Sequence, residues 1–210
     1  MRPFLKTIGL VLGAFLGFQV VIRIIRKSHP FPVPHFMNVV LELPTRRFIQ
    51  DPAEMMDRVG IASGMQVLEL GPGPGFFTTE ASRRAGSEGR LYCIDIEPIM
   101  IQKVQDKVRQ HGLTNVVAQV GNAYALPFAD GALDVAFLIT VFGEIPDKQR
   151  ALKELHRVLK PGGVLSVSEA LPDPDYSLSN SVIKAVEEAG FRLLEQKGSF
   201  FSYTVNFLRP

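Results

Sequence analysis

Val67, Leu68 and Leu70 form a short apolar run that stops in a cluster of glycine and proline, VLELGPGPGFFT over 67–78. That is how a buried parallel strand entering a turn reads in sequence. Beyond it the pattern alternates between strand and helix. It predicts a helix over 78–84, a strand over 90–95, an amphipathic helix over 98–111 closed by Gly112, and strands over 115–120 and 133–139. A helix over 148–159 follows, then a turn at Lys160-Pro161-Gly162-Gly163, a strand over 164–168 and a last helix over 179–189. Two strands, 191–197 and 200–207, close the chain around Gly198-Ser199. Such alternation predicts an α/β fold whose mostly parallel sheet is covered by helices on both faces.

Before the first strand the pattern is different. Residues 7–25 are almost wholly apolar, interrupted by Gln19 and Arg23, and as a helix they would extend about 28 Å, close to the hydrocarbon thickness of a bilayer. Arg2 and Lys6 flank one end, and Arg26 and Lys27 the other, where long cationic side chains reach headgroups. No small-x-small cleavage site follows, so the stretch reads as an uncleaved anchor over 1–28. Gly9, Gly13 and Gly17 recur every fourth residue, a stripe on which two such helices could pair as a homodimer. The alternate prolines of HPFPVPHF begin a stiff linker, which with a short helix over 37–43 forms a connector and lid over 29–60. Asp51, Pro52 and Glu54 mark the start of a helix that Gly60 ends, and the catalytic domain would occupy 61–210.

Composition narrows the function classes. The net charge is +2 and the cations are dispersed along the chain, which does not make a nucleic-acid footprint. The single cysteine, Cys93, excludes an internal disulfide and sits in an apolar run as a small buried hydrophobe. His29 and His35 have no partners at ligand spacing, so no metal is expected.

The chemistry concentrates at the first turn. Gly71, Gly73 and Gly75 fall at alternate positions between a strand and a helix, where positive φ or a missing side chain lets a ligand lie against bare backbone. A nucleotide-like ligand is the first hypothesis, with a nicotinamide dinucleotide and a purely structural turn as competitors.

From Gln66 to Phe207 the pattern resembles the class I S-adenosylmethionine-dependent methyltransferases, in particular their small-molecule and lipid-quinone branch. The resemblance rests on the strand ending at Glu69 with its G-x-G-x-G loop, on CIDIEP, on GNAYALPFADGALDVAF and on LKELHRVLKPGGVLSVSE. It implies a seven-stranded Rossmann-like sheet with an antiparallel last strand, preceded here by the hydrophobic N-terminal helix. It also implies S-adenosylmethionine as cofactor. Gly71, Gly73 and Gly75 would lie along its methionine and ribose parts, with Glu69 orienting the amino-acid end. Asp95 would accept the ribose hydroxyls and Ile96 would lie beside the adenine. Asn122 stands where the family usually has aspartate at the adenine amino group, with Ala123 next to it. Thr140, ending the fourth strand, would face the cleft.

Methyl transfer from a sulfonium mainly requires alignment and exclusion of water. Where an acceptor must first lose a proton, Glu144, Glu169 and Asp173 are the candidate bases, since they follow strand ends. Thr140 at the end of the fourth strand does not suit a metal-dependent catechol-type enzyme, and ITVFGEIP does not suit exocyclic base nitrogens. The remaining acceptor is a hydrophobic small molecule or lipid, entering from the bilayer past Phe36, Phe142 and Tyr203. The expected location is a membrane-anchored chain with its catalytic domain in the cytoplasm. The rival is a tethered protein that holds the cofactor without turnover.

Overall fold

The computed structural model describes Gly17 and residues 46–47, 50–171 and 173–210. Its elements are α1 (Pro52–Val59), β1 (Gln66–Leu70), α2 (Thr78–Ala85), β2 (Arg90–Asp95), α3 (Pro98–His111), β3 (Val116–Val120) and β4 (Leu133–Ile139). They continue as α4 (Lys148–Val158), β5 (Leu159–Ala170), α5 (Ser179–Glu188), β6 (Arg192–Gly198) and β7 (Ser202–Leu208). One seven-stranded sheet holds them in the order β3-β2-β1-β4-β5-β7-β6. The pairs from β3 to β5 are parallel, and β7 enters antiparallel between β5 and β6.

Period-two alternation sends the strands' side chains to two separate cores. Val67, Val135 and Phe137 pack with Met55, Met56, Ala81 and Val104 on one face. Leu68, Leu70, Leu138 and Val167 pack with Leu152, Leu155, Val182 and Val186 on the other. Helix α1, assigned to the lid in the sequence reading, thus belongs to the sheet's own core: Met55 and Met56 are fully buried, each contributing about 1.5–3 kcal/mol. Its start follows the sequence. Asp51 Oδ1 accepts the Ala53 and Glu54 amides at 2.9 and 3.1 Å. Glu54, however, pairs with Arg58 at 2.6 Å.

Two expectations need correction. The Lys160-Pro161-Gly162-Gly163 turn lies within β5, where the pairing jumps from Leu133↔Leu159 to Val135↔Val164 and the extra residues bulge. Gly162, at φ +80, donates its amide to Arg209 O at 2.8 Å, so the bulge is tied to the chain leaving β7. The final strand begins at Ser202, two residues later than the apolar pattern indicates, because Phe200 and Phe201 form the tip of the β6–β7 turn.

Apart from Gly17, the apolar stretch 7–25 lies outside the described residues, Gly9 and Gly13 included, as do the proline-rich linker and the 37–43 helix. Gly17 is exposed. No helix among the described residues is long and apolar enough to cross a membrane.

Candidate functional site

The carboxyl ends of β1, β2 and β4 open onto one cavity of about 390 Å³, where a doubly wound sheet receives ligands. Of the residues singled out in the sequence, Glu69, Gly71, Gly73, Asp95, Ile96, Asn122, Ala123, Thr140, Glu144 and Asp173 line it. Gly75 and Glu169 do not.

Asp95 ends β2 half-buried, with both carboxylate oxygens oriented by backbone. Gly73 N–H donates to Oδ2 at 3.2 Å and Glu97 N–H to Oδ1 at 3.0 Å. Burial raises its pKa above the ordinary carboxylate value, and those two amides oppose the shift. A carboxylate oxygen accepts more than one hydrogen bond, and Asp95 lines the cavity, so its two oxygens suit a vicinal diol.

The three glycines have distinct duties. All have positive φ. A Cβ on Gly71 would come within 2.6 Å of Val141 Cγ2, and one on Gly75 would crowd Thr78 Oγ1 and Val104, so these two accommodate the protein's own packing. Only at Gly73 would a Cβ meet open space, which leaves bare backbone beside Asp95. Lys107 Nζ bonds Gly75 O at 2.8 Å and braces the loop from α3. Gly71→Ala is expected to cost about 2 kcal/mol, from a strained φ and the Val141 clash together. Combining it with Val141→Ala should cost less than the sum of the two single changes, as read from urea midpoints.

Glu69 lies on the α1–α2 face of β1 and is 2% exposed. Thr78 Oγ1 donates to its Oε2 at 2.7 Å and Cys93 Sγ to the same oxygen at 3.3 Å. Burial pushes its pKa up to about 7, with Thr78, Cys93 and Lys107 resisting. Cys93 is the small buried residue expected, with its thiol pushed well up by burial and by Glu69.

Thr140 has φ +57, the one left-handed non-glycine residue among those described. Its hydroxyl donates to Ile139 O at 2.7 Å and accepts from Arg46 Nη2 at 3.4 Å. Arg46 is a site residue that sequence reasoning missed. It stacks over Phe76 and Phe77 at 4.8 and 5.1 Å, bonds Gln50 Oε1 at 3.1 Å and lines the cavity. Burial lowers its pKa to about 10, countered by Asp173 and Glu69, so it remains a cation at neutral pH. In sequence it is only a basic residue in a half-apolar stretch, and no local pattern ties it to Thr140.

Asn122 is exposed and its Oδ1 accepts the Tyr124 amide at 2.9 Å, leaving one lone pair for an amino group. Ile96, 62% exposed, forms an apolar rim. Glu144 and Asp173 stand on the cavity wall, whereas Glu169 is 1% exposed behind it. Neither Glu169 oxygen makes a well-formed hydrogen bond among the described residues. Burial, then the neighbouring charges of Asp173, Asp175 and Glu144, raise its pKa well above the ordinary range. Phe142 and Tyr203, expected as pocket walls, are core residues of the α4–α5 face instead. Phe36 lies outside the described residues.

The profile of a methyltransferase domain matches residues 61–198. The chain belongs to the class I S-adenosylmethionine-dependent methyltransferases. This methyltransferase is 35% identical over 147 residues to a ubiquinone/menaquinone biosynthesis C-methyltransferase, UbiE, of Klebsiella pneumoniae, covering 68% of this chain and 56% of that one. It is 34% identical over 128 residues to a demethylmenaquinone methyltransferase of Geobacillus stearothermophilus, covering 61% and 54%. The chain therefore spans little more than half the length of these curated relatives. A crystal structure of a SAM dependent methyltransferase from Aquifex aeolicus superimposes with a TM-score of 0.80 at 26% identity, covering 85% of this chain and all of that one. The residues of this methyltransferase fit the cofactor: the oriented Asp95 carboxylate and the bare Gly73 backbone stand side by side on the cavity, with Ile96 and Ala123 as apolar neighbours.

Proposed function

We propose that this chain methylates a ring carbon of a hydroxylated, apolar-tailed aromatic acceptor of the quinone-precursor type. The observation that carries the reading is the cavity's mixed lining. Asp95 and Gly73 suit a ribose, while Val141, Ile145 and Pro146 add apolar surface and Glu144, Asp173 and Arg46 add ionisable groups to the same cavity. The C-methyltransferase names of the relatives support the acceptor class. The membrane-anchored placement, through residues 7–25 with the body on the cytoplasmic side where the cofactor is made, belongs to the same proposal.

Bound at Asp95, S-adenosylmethionine supplies a methyl group already activated by its positive charge. The chain's own task is to make a ring carbon nucleophilic. Glu144 accepts the proton of the ring hydroxyl at its carboxylate, the Arg46 cation favours the resulting oxyanion, and the hydrogen displaced from the methylated carbon leaves as a proton that restores the hydroxyl and the aromatic ring. Apolar side chains around them keep water from competing. Glu169, buried behind the wall, acts on the reaction only through Glu144 and Asp173.

The test is transfer of a labelled methyl group by the full chain to reduced and oxidised forms of a short-tailed demethylated quinone. Only the reduced form carries an ionisable hydroxyl and an electron-rich carbon, so it alone is expected to react. Glu144→Gln should lower kcat by about 100-fold, the scale of a lost general base. Equal transfer to both redox forms would sink the acceptor assignment. Cofactor binding without turnover of any acceptor would return the chain to the tethered binding-protein alternative.

A further inference from the structure

The same end of the sheet that carries the cavity also carries an exposed aromatic tip. Register fixes this: Ala170 at the end of β5 pairs with Ser202 at the start of β7, so the β6–β7 turn projects beyond the carboxyl ends of the parallel strands. Phe200 and Phe201 form that tip and are 60% and 64% exposed. Leu171 N–H donates to Phe201 O at 2.8 Å and Tyr176 Oη to Phe200 O at 2.6 Å, so the β5–α5 loop holds the tip in place. Asp173, on the cavity wall, lies in that loop, and its carbonyl accepts the Tyr176 amide at 3.2 Å. Leu178, 55% exposed, ends the loop.

Leaving two phenylalanines mostly in water forgoes much of the free energy that their burial would supply. The occupant that repays this must suit a small, projecting surface. Three partly exposed side chains offer roughly 300–400 Å² of apolar area, against about 800 Å² per partner for a stable protein interface. A second copy of the chain is therefore poorly matched, whereas a lipid interface accepts a narrow apolar wedge. The chain outside the described residues points the same way. It rejoins the body at Arg46, on the cavity wall, after the apolar stretch 7–25 and a proline-rich connector. A tether attached at the cavity end turns that end, tip included, toward the membrane.

We propose that Phe200 and Phe201, with Leu178, form a wedge that inserts into the bilayer interface and holds the cavity mouth against the membrane. This takes from the functional reading only that the chain works at a bilayer. Methyl transfer plays no part in its test.

The chain has no tryptophan, so Phe201→Trp supplies a single indole reporter at the tip. Leu194→Trp on β6, exposed and near the opposite end of that strand, serves as the reference. Both full-length variants are reconstituted into phosphatidylcholine vesicles brominated high on the acyl chains, and separately titrated with iodide in unbrominated vesicles. The expected result is that emission from the Phe201→Trp variant is largely lost to bromolipid and resists iodide, while the Leu194→Trp variant shows the reverse. Iodide quenching of the tip reporter without bromolipid quenching overturns the proposal, since the tip then stands in water. Shielding from both overturns it too, since protein then covers the tip. Failure of the chain to associate with vesicles at all overturns the wedge and the membrane placement together, and leaves the methyl-transfer assay to be judged on its own.

Discussion

Asp95→Ala is expected to weaken binding of S-adenosylhomocysteine by the full-length chain at least about 100-fold, and Asp95→Asn by an intermediate factor. A hydrogen bond to a charged group is worth about 1.5–3 kcal/mol, and a diol makes two of them to one carboxylate. That effect is available in full because the Gly73 and Glu97 amides orient both oxygens before any ligand arrives. No ordering cost is left to the binding step. Asparagine keeps one acceptor and loses the charge, which is why its effect should fall between. Because burial raises the Asp95 pKa, affinity should also decline on acidification earlier than an ordinary aspartate would cause. Calorimetric titration of parent and variants, with circular dichroism to establish that each is folded, reads the effect. Unchanged affinity in a folded Asp95→Ala chain would remove this carboxylate from the cofactor site.

The second large effect is thermodynamic and belongs to Glu69. Its carboxyl has a folded pKa of about 7 against an ordinary value of 4.5, the main cause being burial. Between those pH values the fold holds the proton and the unfolded chain has released it. Stability therefore falls as pH rises through that window, by about 1.4 kcal/mol per unit and about 3 kcal/mol in all. Glu69→Gln keeps an oxygen to accept the Thr78 hydroxyl and removes the ionisation. The variant should match the parent near pH 4.5 and exceed it by about 3 kcal/mol at pH 8, measured by urea unfolding without cofactor. Parallel pH dependences in the two proteins would mean that Glu69 is ionised in the fold at neutral pH.

These two carboxylates mark how far the site was legible. Asp95 stands out in sequence because its place follows from local spacing: a strand after the glycine loop, ending in an acidic residue before Pro98. Glu69 is just as visible as a residue, yet its protonation depends on Thr78, Cys93 and the helices packed over it. The glycine loop was legible as a turn, but the reason for each glycine was not. Val141, seventy residues away, fills the space beside Gly71, and only Gly73 leaves backbone open to a ligand. Glu144 and Glu169 looked equivalent as residues after strand ends. Register and the path of the β5–α5 loop place one on the cavity wall and the other behind it.

By itself the sequence determined the α/β alternation, the bounds of β2, α3 and β4, the antiparallel closing hairpin and the glycine turn after β1. Those features depend on hydrophobic periodicity, capping and turn residues, which act over a few positions and are written where they act. Only the tertiary structure decided that Arg46 meets Thr140 across ninety-four positions, that the 160–163 segment bulges within β5 and that the β6–β7 tip stands at the same end of the sheet as the cavity. Each of these is a contact between distant segments, and its energy depends on which groups lose water together when the sheet closes.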